Sequence, residues 1–221
     1  MQKRLAYIHT VTSLPPVFKN LSSELIPGVD IFHMVDESLL QNTIRQNQLS
    51  PSTIRRLIGH VASAREAGAD LVMVTCSSVG PAVDLAKSMF DMPVLRVDQP
   101  MADLAVGAGV RIGVAATLQT TLEPTAALIR ARAAAAGKQV EVISRLCQGA
   151  FEAVISGDTA KHDALVKAGL QALMAKTDVI VLAQASMARV VESLSEEERR
   201  VPVYSSPRLA VEYLAKLIPT L

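Results

Sequence analysis

The sequence contains no tryptophan, and aromatic residues make up only 3% of its 221 residues. It also lacks an excess of charge of either sign, since its formal net charge is +1. Nucleic-acid-binding proteins need a basic face, and those that bind single strands also use aromatic rings on which bases stack. The composition therefore predicts that nucleic acid is not a partner of this protein.

Long apolar segments are missing as well, although half of the residues are hydrophobic. No uncharged apolar run reaches the roughly 18 residues that a membrane-spanning helix needs. The first residues, MQKRLAYIHTV, lack the apolar stretch and cleavage site of a signal peptide. In such a chain the two cysteines, Cys76 and Cys147, are expected to be free thiols. We therefore expect a cytoplasmic, soluble protein without a membrane partner.

Motifs for metals and dinucleotides are also absent. The Cys, His, Asp and Glu residues do not recur at the spacing of a metal site. The segment GAGVRIG, residues 107–113, resembles a glycine-rich fingerprint, but it precedes a predicted strand and has the wrong glycine interval. The sequence therefore predicts neither a metal site nor a dinucleotide cofactor.

What the sequence does contain is a regular alternation of strand-like and helix-like segments. Strands are predicted at 4–11, 29–35, 70–75, 93–97, 111–117, 139–144, 178–183 and 201–205. Helices are predicted at 15–26, 52–68, 81–90, 120–137, 149–158 and 162–176. Ser52 is a candidate N-cap, and Thr120 with Glu123 has the pattern of a capping box. The alternation predicts an α/β protein whose parallel sheets carry helices on both faces.

The pattern of strands occurs twice along the chain. Three pairs of equivalent residues lie 107, 108 and 109 positions apart: Arg4 and Arg111, Asp70 and Asp178, and Pro93 and Pro202. A nearly constant offset predicts two similar α/β lobes. If these lobes face each other about a pseudo-two-fold axis, the loops after their strands would line one active-site cleft between them. We assign residues 1–103 with 206–221 to the first lobe and residues 104–205 to the second.

Ligands of parallel α/β sheets bind beyond the carboxyl ends of the strands, so the residues that follow each predicted strand are candidates for a binding site. In the first copy these residues are His9, Thr10, Asp36, Glu37, Thr75, Cys76, Ser77 and Ser78. In the second they are Thr117, Thr120, Thr121, Cys147, Gln148, Gln184, Ala185 and Ser186. The set is rich in hydroxyls and amides, which together with backbone N–H groups at helix N-termini suit a small carboxylate.

Cys76 closes a strand and precedes a predicted helix, and it is the strongest candidate for chemistry because Thr75, Ser77 and Ser78 flank it with hydroxyls that a core cysteine does not need. A helix N-terminus can lower a thiol pKa below its free value of about 8.5, and the thiolate can then act as base or nucleophile. The alternative is a buried cysteine that only packs. Cys147 and His9 are candidates for a second acid or base, with packing and structural hydrogen bonding as their alternatives.

The segments VTCSSVG, VLAQASMA, RIGVAATLQTTLEPT and VPVYSSP together resemble the aspartate/glutamate (Asp/Glu/hydantoin) racemase superfamily. That group includes amino-acid and hydantoin racemases, maleate isomerases and arylmalonate decarboxylases. The resemblance covers essentially the whole chain. It implies two α/β lobes that face each other across a cleft, no cofactor (neither pyridoxal phosphate nor a metal), and a homo-oligomer, most simply a dimer.

The resemblance also implies roles for individual residues. Racemases of this superfamily place one cysteine from each lobe beside the α-carbon of the substrate. The loop of the first cysteine is matched here by Cys76, Ser77 and Ser78, and that of the second by Gln184, Ala185 and Ser186. The threonines that hold the substrate carboxylate are matched by Thr117, Thr120 and Thr121. Gln184 cannot exchange a proton at ordinary pH, so the two-thiol mechanism lacks one base.

We therefore expect a cofactor-independent isomerase that acts on a small carboxylate, with Cys76 as base or nucleophile and Gln184 as a hydrogen-bond donor. The small hydroxyls beside Cys76, together with Thr10 and Thr75, are expected to contact the substrate. Three alternatives remain at this point. They are a racemase that pairs Cys76 with Cys147 or His9, a decarboxylase or lyase of the same superfamily, and a family member that binds a carboxylate without catalysis.

Overall fold

The structure is a computed structural model, and it describes residues 2–221. The chain divides into two compact units, which we call unit 1 and unit 2. Unit 1 consists of Met1–Gln99 and Pro207–Leu221, and unit 2 of Pro100–Ser206. Unit 1 is therefore built from both ends of the chain, whereas unit 2 is a single continuous segment.

Each unit contains one parallel four-stranded sheet. The strands of unit 1 are β1 (Arg4–His9), β2 (Asp30–Val35), β3 (Leu71–Val74) and β4 (Val94–Arg96), in the order β2-β1-β3-β4. Those of unit 2 are β5 (Arg111–Ala116), β6 (Glu141–Leu146), β7 (Val179–Leu182) and β8 (Val203–Ser205), in the order β6-β5-β7-β8. All eight predicted strands are present, and the α/β class with parallel sheets is confirmed.

The helices connect the strands and cover the sheets. They are α1 (Leu14–Leu25), α2 (Glu37–Gln46), α3 (Pro51–Glu66), α4 (Gly80–Ala86), α5 (Gln99–Ala108), α6 (Gln119–Ala135), α7 (Ala150–Ile155), α8 (Thr159–Met174), α9 (Ala188–Glu192) and α10 (Ser206–Leu217). Short 3-10 turns span Ser77–Val79, Ala185–Met187 and Ile218–Thr220. Over residues 2–221, none of the helices combines the length and apolar character required to cross a membrane.

The core of unit 1 forms on both faces of its sheet because side chains alternate along β1. Leu5 and Tyr7 pack in a cluster with residues of α1 and α10, including Phe18. Ala6 and Ile8 pack in a second cluster with residues of α2, α3 and α4. The predicted coverage of the sheet by helices on both faces is thus confirmed in unit 1.

Both predicted helix caps are wrong, each for a local reason. Helix α3 is capped by Ser50, not Ser52, because Pro51 takes the first helical position and the Ser50 hydroxyl accepts a hydrogen bond from the Thr53 N–H at 3.3 Å. Helix α6 begins at Gln119, so Thr120 lies inside its first turn and does not cap it. Helices α2, α5, α9 and α10 were not predicted.

The two units repeat each other down to single hydrogen bonds. In unit 1 the Arg4 N–H donates to Oδ2 of Asp70 at 2.7 Å. In unit 2 the Arg111 N–H donates to Oδ2 of Asp178 at 2.8 Å. Each aspartate directly precedes the third strand of its unit, and its own N–H donates at 2.8 Å to the carbonyl oxygen of the same arginine. The equal strand order and these matched bonds confirm that the chain contains two similar α/β units.

Candidate active site

The Cys76 loop lies at the carboxyl end of β3, where the fully buried strand Leu71–Val74 gives way to small polar residues. Cys76 has extended backbone angles and caps the 3-10 turn Ser77–Val79, which leads into α4. Cys76 is partly exposed, and Ser77 and Ser78 are buried. In parallel α/β sheets this is the edge at which ligands bind.

Four hydrogen-bond donors surround the Cys76 sulfur. They are the hydroxyls of Thr10 and Ser78 and the backbone N–H groups of Ser78 and Val79. Burial nevertheless raises the pKa of the Cys76 thiol above its ordinary value, and these donors offset only part of that rise. The backbone N–H groups after Cys76 thus lower this pKa, as expected, but not below its ordinary value. The element after Cys76 is a single 3-10 turn, and its N–H groups do not outweigh desolvation.

His9 is buried at the end of β1 and forms hydrogen bonds through both ring nitrogens. Its Nδ1 lies 2.7 Å from Oγ1 of Thr75, and its Nε2 lies 2.9 Å from Nδ1 of His33. Burial, followed by the charge of His33, lowers the pKa of His9 from 6.5 to about 3. His9 is therefore neutral at ordinary pH and fully engaged, which favours its structural alternative over a role as substrate acid or base.

Thr75 is held by this arrangement. Its hydroxyl donates a hydrogen bond to the carbonyl oxygen of Ile8 at 3.3 Å, so its oxygen accepts one from the Nδ1–H of His9. The Nε2 atom of His9 then accepts a hydrogen bond from the Nδ1–H of His33, which makes one connected chain of hydrogen bonds. The Thr75 hydroxyl, which we expected to contact the substrate, is occupied within unit 1.

In unit 2, Gln184 occupies the position that Cys76 has in unit 1. It has nearly the same backbone angles and caps the equivalent turn, Ala185–Met187. Its Oε1 accepts hydrogen bonds from the N–H of Thr117 at 2.6 Å and from the Thr117 hydroxyl at 3.0 Å. A backbone N–H can only donate, so the amide oxygen must face Thr117. The amide is thereby oriented, and the two N–H donors of its Nε2 atom point away from Thr117.

Of the three threonines expected to hold a carboxylate, each has a different setting. Thr117 directs both of its donors to Gln184. Thr121 is buried in the first turn of α6, where its N–H donates to the carbonyl of Leu118 at 3.1 Å. The Thr120 hydroxyl is buried and has no hydrogen-bond partner among the residues that the structure describes. A buried hydroxyl without a partner costs about 1–3 kcal/mol, which an acceptor from a ligand would recover.

The remaining candidates of unit 2 lie in contrasting places. Ala185 is partly exposed and Ser186 is exposed in the turn after Gln184. Cys147 is only 3% exposed and belongs to the hydrophobic core. Its sulfur packs against Gly169 of α8 so closely that a Cβ added at Gly169 would lie 2.5 Å from the sulfur. Burial raises the pKa of the Cys147 thiol. This position favours packing over the expected second acid or base.

Metal ligands are not clustered in the described part of the chain. Between residues 2 and 221, no group of three or more His, Cys, Asp or Glu side chains is arranged to hold a metal ion. The chemistry available from these residues is therefore that of one thiol with four donors in unit 1, and of an oriented amide with an unpaired hydroxyl in unit 2.

Several solved structures with a similar fold are racemases. Glutamate racemase isoform RacE1 from Bacillus anthracis has a TM-score of 0.77 at 18% identity, over 99% of this chain and 82% of that chain. Allantoin racemase from Klebsiella pneumoniae has a TM-score of 0.69 at 17% identity, over 99% and 89%. Aspartate racemase from Picrophilus torridus has a TM-score of 0.69 at 13% identity, over 97% and 94%. At these identities the similarity shows the shared fold.

No curated protein sequence matches the chain significantly. The family described as Asp/Glu/Hydantoin racemase matches residues 11–214, which is nearly the whole chain. The chain therefore belongs to the Asp/Glu/Hydantoin racemase family.

Proposed function

We propose that the protein is a cofactor-independent, racemase-type isomerase of a small carboxylate, with Cys76 as the reacting group. The observation that carries this proposal is the set of four donors around the Cys76 sulfur. A cysteine that only packs does not need them, whereas a thiolate that forms during a reaction is stabilised by each of them. Membership of the racemase family supports the same reaction class.

The proposed chemistry needs no reactant other than the substrate and water. As a base, the Cys76 thiolate takes the proton from the α-carbon; the C–H bond breaks, an S–H bond forms, and the electron pair moves into the carboxylate. Water then donates a proton to the other face of the α-carbon, and the thiol returns its proton to the solvent, which restores the thiolate. As a nucleophile, it adds to the C=C bond of an unsaturated dicarboxylate, which allows rotation before the C–S bond breaks again. Both routes build negative charge on the substrate carboxylate, so both benefit from hydrogen-bond donors there.

Unit 2 contributes donors of the required kind. Thr117 fixes the amide oxygen of Gln184, so that we assign its Nε2 as a donor to the substrate. The unpaired hydroxyl of Thr120 is assigned to the carboxylate, which would give it an acceptor. We further propose that Thr10, Ser77 and Ser78 contact the substrate. We also propose that the protein is a homodimer, and sedimentation velocity tests this by the mass of the species in solution.

The experiment is a screen of enantiopure amino acids, hydantoins, substituted malonates and unsaturated dicarboxylates in D₂O, followed by NMR. We expect deuterium at the α-carbon or isomerisation of one class, and a loss of at least about 10³-fold in Cys76→Ser. The matched control is Cys147→Ala, which also removes one thiol but from the hydrophobic core. Its turnover should stay within a few-fold of the parent.

Three outcomes separate the alternatives. Full turnover in Cys76→Ser would disprove the assignment of the reacting group. Loss of α-proton exchange in folded Cys147→Ala would instead favour a racemase with two cysteines. Release of CO₂ from a malonate would identify a decarboxylase.

A second candidate function, carboxylate binding without catalysis, is favoured by one specific observation: burial raises the pKa of the Cys76 thiol. A binding protein has no need for a reactive thiolate. This candidate predicts that some carboxylate of the same panel raises the melting temperature, while no member of the panel is exchanged, isomerised or decarboxylated. Thermal shift measured beside the NMR screen therefore distinguishes a binder from an enzyme.

A further inference from the structure

Arg96, the last residue of β4, is a buried charged residue of unit 1 that the proposed reaction does not use. It is 4% exposed, and its guanidinium group lies against the backbone of Gly80, the first residue of α4. A Cβ added at Gly80 would lie 2.5 Å from the guanidinium carbon, too close for any residue but glycine without movement. Gly80 has ordinary helical angles, so close approach and not backbone freedom requires a glycine here.

The guanidinium group is fixed from three directions. Its Nε and Nη2 donate to the two carboxylate oxygens of Asp98, each at 2.9 Å, and Asp98 is completely buried. Its Nη1 donates to Oδ2 of Asp84 on α4 at 2.5 Å. Such a bidentate pair fixes the plane of the guanidinium as well as its position. Buried ion pairs add little stability over apolar side chains, so the Arg96–Asp98 pair is better explained by the fixed position that it gives the guanidinium group.

The fixed group lies directly beside the turn that surrounds Cys76. Gly80 follows Val79, and its own N–H donates to the carbonyl of Ser77, which closes the turn Ser77–Val79. The N–H groups of Ser78 and Val79 are the two backbone donors to the Cys76 sulfur. A displacement at Gly80 would therefore be passed directly to both donors.

We propose that Arg96 is a positioning residue for Cys76: paired with Asp98 and packed on Gly80, it holds the Ser78 and Val79 N–H groups on the sulfur. The proposal rests on the proposed function only in that Cys76 is taken to be the reacting group. Its test does not require turnover, because alkylation reports the thiolate directly. A failure of the substrate screen and a failure of this proposal are thus separate results.

The test measures the rate of iodoacetamide alkylation of the native protein from pH 6 to 10, in a Cys147→Ala background so that only Cys76 reacts. Arg96→Lys keeps the charge but loses the planar fork, and Gly80→Ala pushes the guanidinium or the turn aside. We expect both changes to weaken the hydrogen bonds from the Ser78 and Val79 N–H groups to the Cys76 sulfur. The midpoint of the alkylation profile should then move to higher pH by about one unit, and the reaction at pH 8 should slow about tenfold. The control is Gly59→Ala in α3, where nothing lies within 4 Å of an added Cβ and the profile should not move.

Circular dichroism shows which variants fold. The proposal is upheld if either folded variant shows the shifted profile while Gly59→Ala does not. It is overturned if the folded variants alkylate as the parent does. It is also overturned if both variants fail to fold, because the ion pair would then serve stability instead of the position of the turn.

Discussion

The most informative residues are Cys76 and Gln184, because they occupy the same position in the two units but differ in chemistry. Both cap a 3-10 turn after the third strand of their sheet. The sulfur of Cys76 accepts hydrogen bonds from its own turn and from Thr10. The amide oxygen of Gln184 is bound by Thr117. The Gln184 side chain is thus held in one orientation, which suits hydrogen bonding to a ligand better than proton transfer.

Gln184→Glu tests the proposed donor with little change in shape. The carboxylate can still accept both hydrogen bonds from Thr117, but it has no N–H donors and places a negative charge beside the substrate carboxylate. We expect the KM of the substrate found in the screen to rise at least about tenfold, since like charges repel. Gln139→Glu adds the same charge at an exposed position before β6 and should leave KM unchanged. An unchanged KM in Gln184→Glu would contradict the assignment.

The neutral His9 makes stability depend on pH. Its pKa is lowered from 6.5 to about 3 in the native protein, so the unfolded chain binds the proton first as the pH falls. Its contribution is complete above pH 6.5 and is lost as the pH falls towards 3, by about 1.4 kcal/mol per pH unit. Urea unfolding at pH 7.5 and 5 should show about 2 kcal/mol more loss in the parent than in His9→Gln. Equal losses in both proteins would show that His9 is not held neutral.

At the scale of elements, the sequence predicted every strand but missed four helices. Strands such as Leu71–Val74 are continuous apolar runs between turn residues, so their signal is local. Helix α2 buries only Leu39 and Thr43, but it is clearly amphipathic, so its helical period was present in the sequence and was overlooked. Helix α5 is apolar on most sides and therefore shows little periodicity. Helix α5 thus depends on tertiary packing, which a periodicity argument does not contain.

The cap of α3 shows why helix ends are harder to predict than helices. Ser50, Ser52 and Thr53 all have hydroxyls, and only the position of Pro51 at the first helical residue decides between them. We expect Ser50→Ala to lower the free energy of unfolding by about 1 kcal/mol, because the Thr53 N–H loses its acceptor. Ser52→Ala, at an exposed position, should cost less than half as much. Chemical denaturation of both variants checks the order, and the reverse order would place the cap at Ser52.

The site could be predicted from the sequence only as far as strand ends could be located. Because ligand-binding residues follow parallel strands, Cys76 and Gln184 were identified correctly as residues at equivalent strand ends. The sequence could not tell that Cys147 enters the core, since the direction of its side chain depends on α8 and Gly169. It also missed Arg96 and Asp98, because an arginine at a strand end shows no sign of burial until its partners are known.

At the scale of the whole molecule, the chain is one α/β design used twice, with the catalytic candidates divided between the copies. The sheets have the same strand order, and Asp70 and Asp178 make the same hydrogen bond to the first strand. The strand order and these hydrogen bonds are thus the same in both units, whereas the residues at the strand ends differ. Unit 1 has the thiol with its donors, and unit 2 has the amide with the Thr120 hydroxyl.

Helix α10, near the end of the chain, completes the core of unit 1, so a cavity made in this helix should loosen unit 1 first. Helix α10 returns from unit 2 to unit 1, where Ala210, Val211 and Leu214 are completely buried with Leu5. Leu214→Ala should lower the free energy of unfolding by about 2–5 kcal/mol. Since the cavity lies in unit 1, hydrogen exchange should accelerate in β1 and β3 more than in β5 and β7.

The matched variant for this prediction is Leu170→Ala, which makes the same cut in α8 of unit 2, where Leu170 is equally buried. It should reverse the pattern, with faster exchange in β5 and β7 than in β1 and β3. Hydrogen exchange followed by mass spectrometry separates these strands, because they lie in different parts of the sequence. If either substitution accelerates exchange equally in all four strands, the units open as one cooperative body, and the division of the chain into two compact units does not extend to its stability.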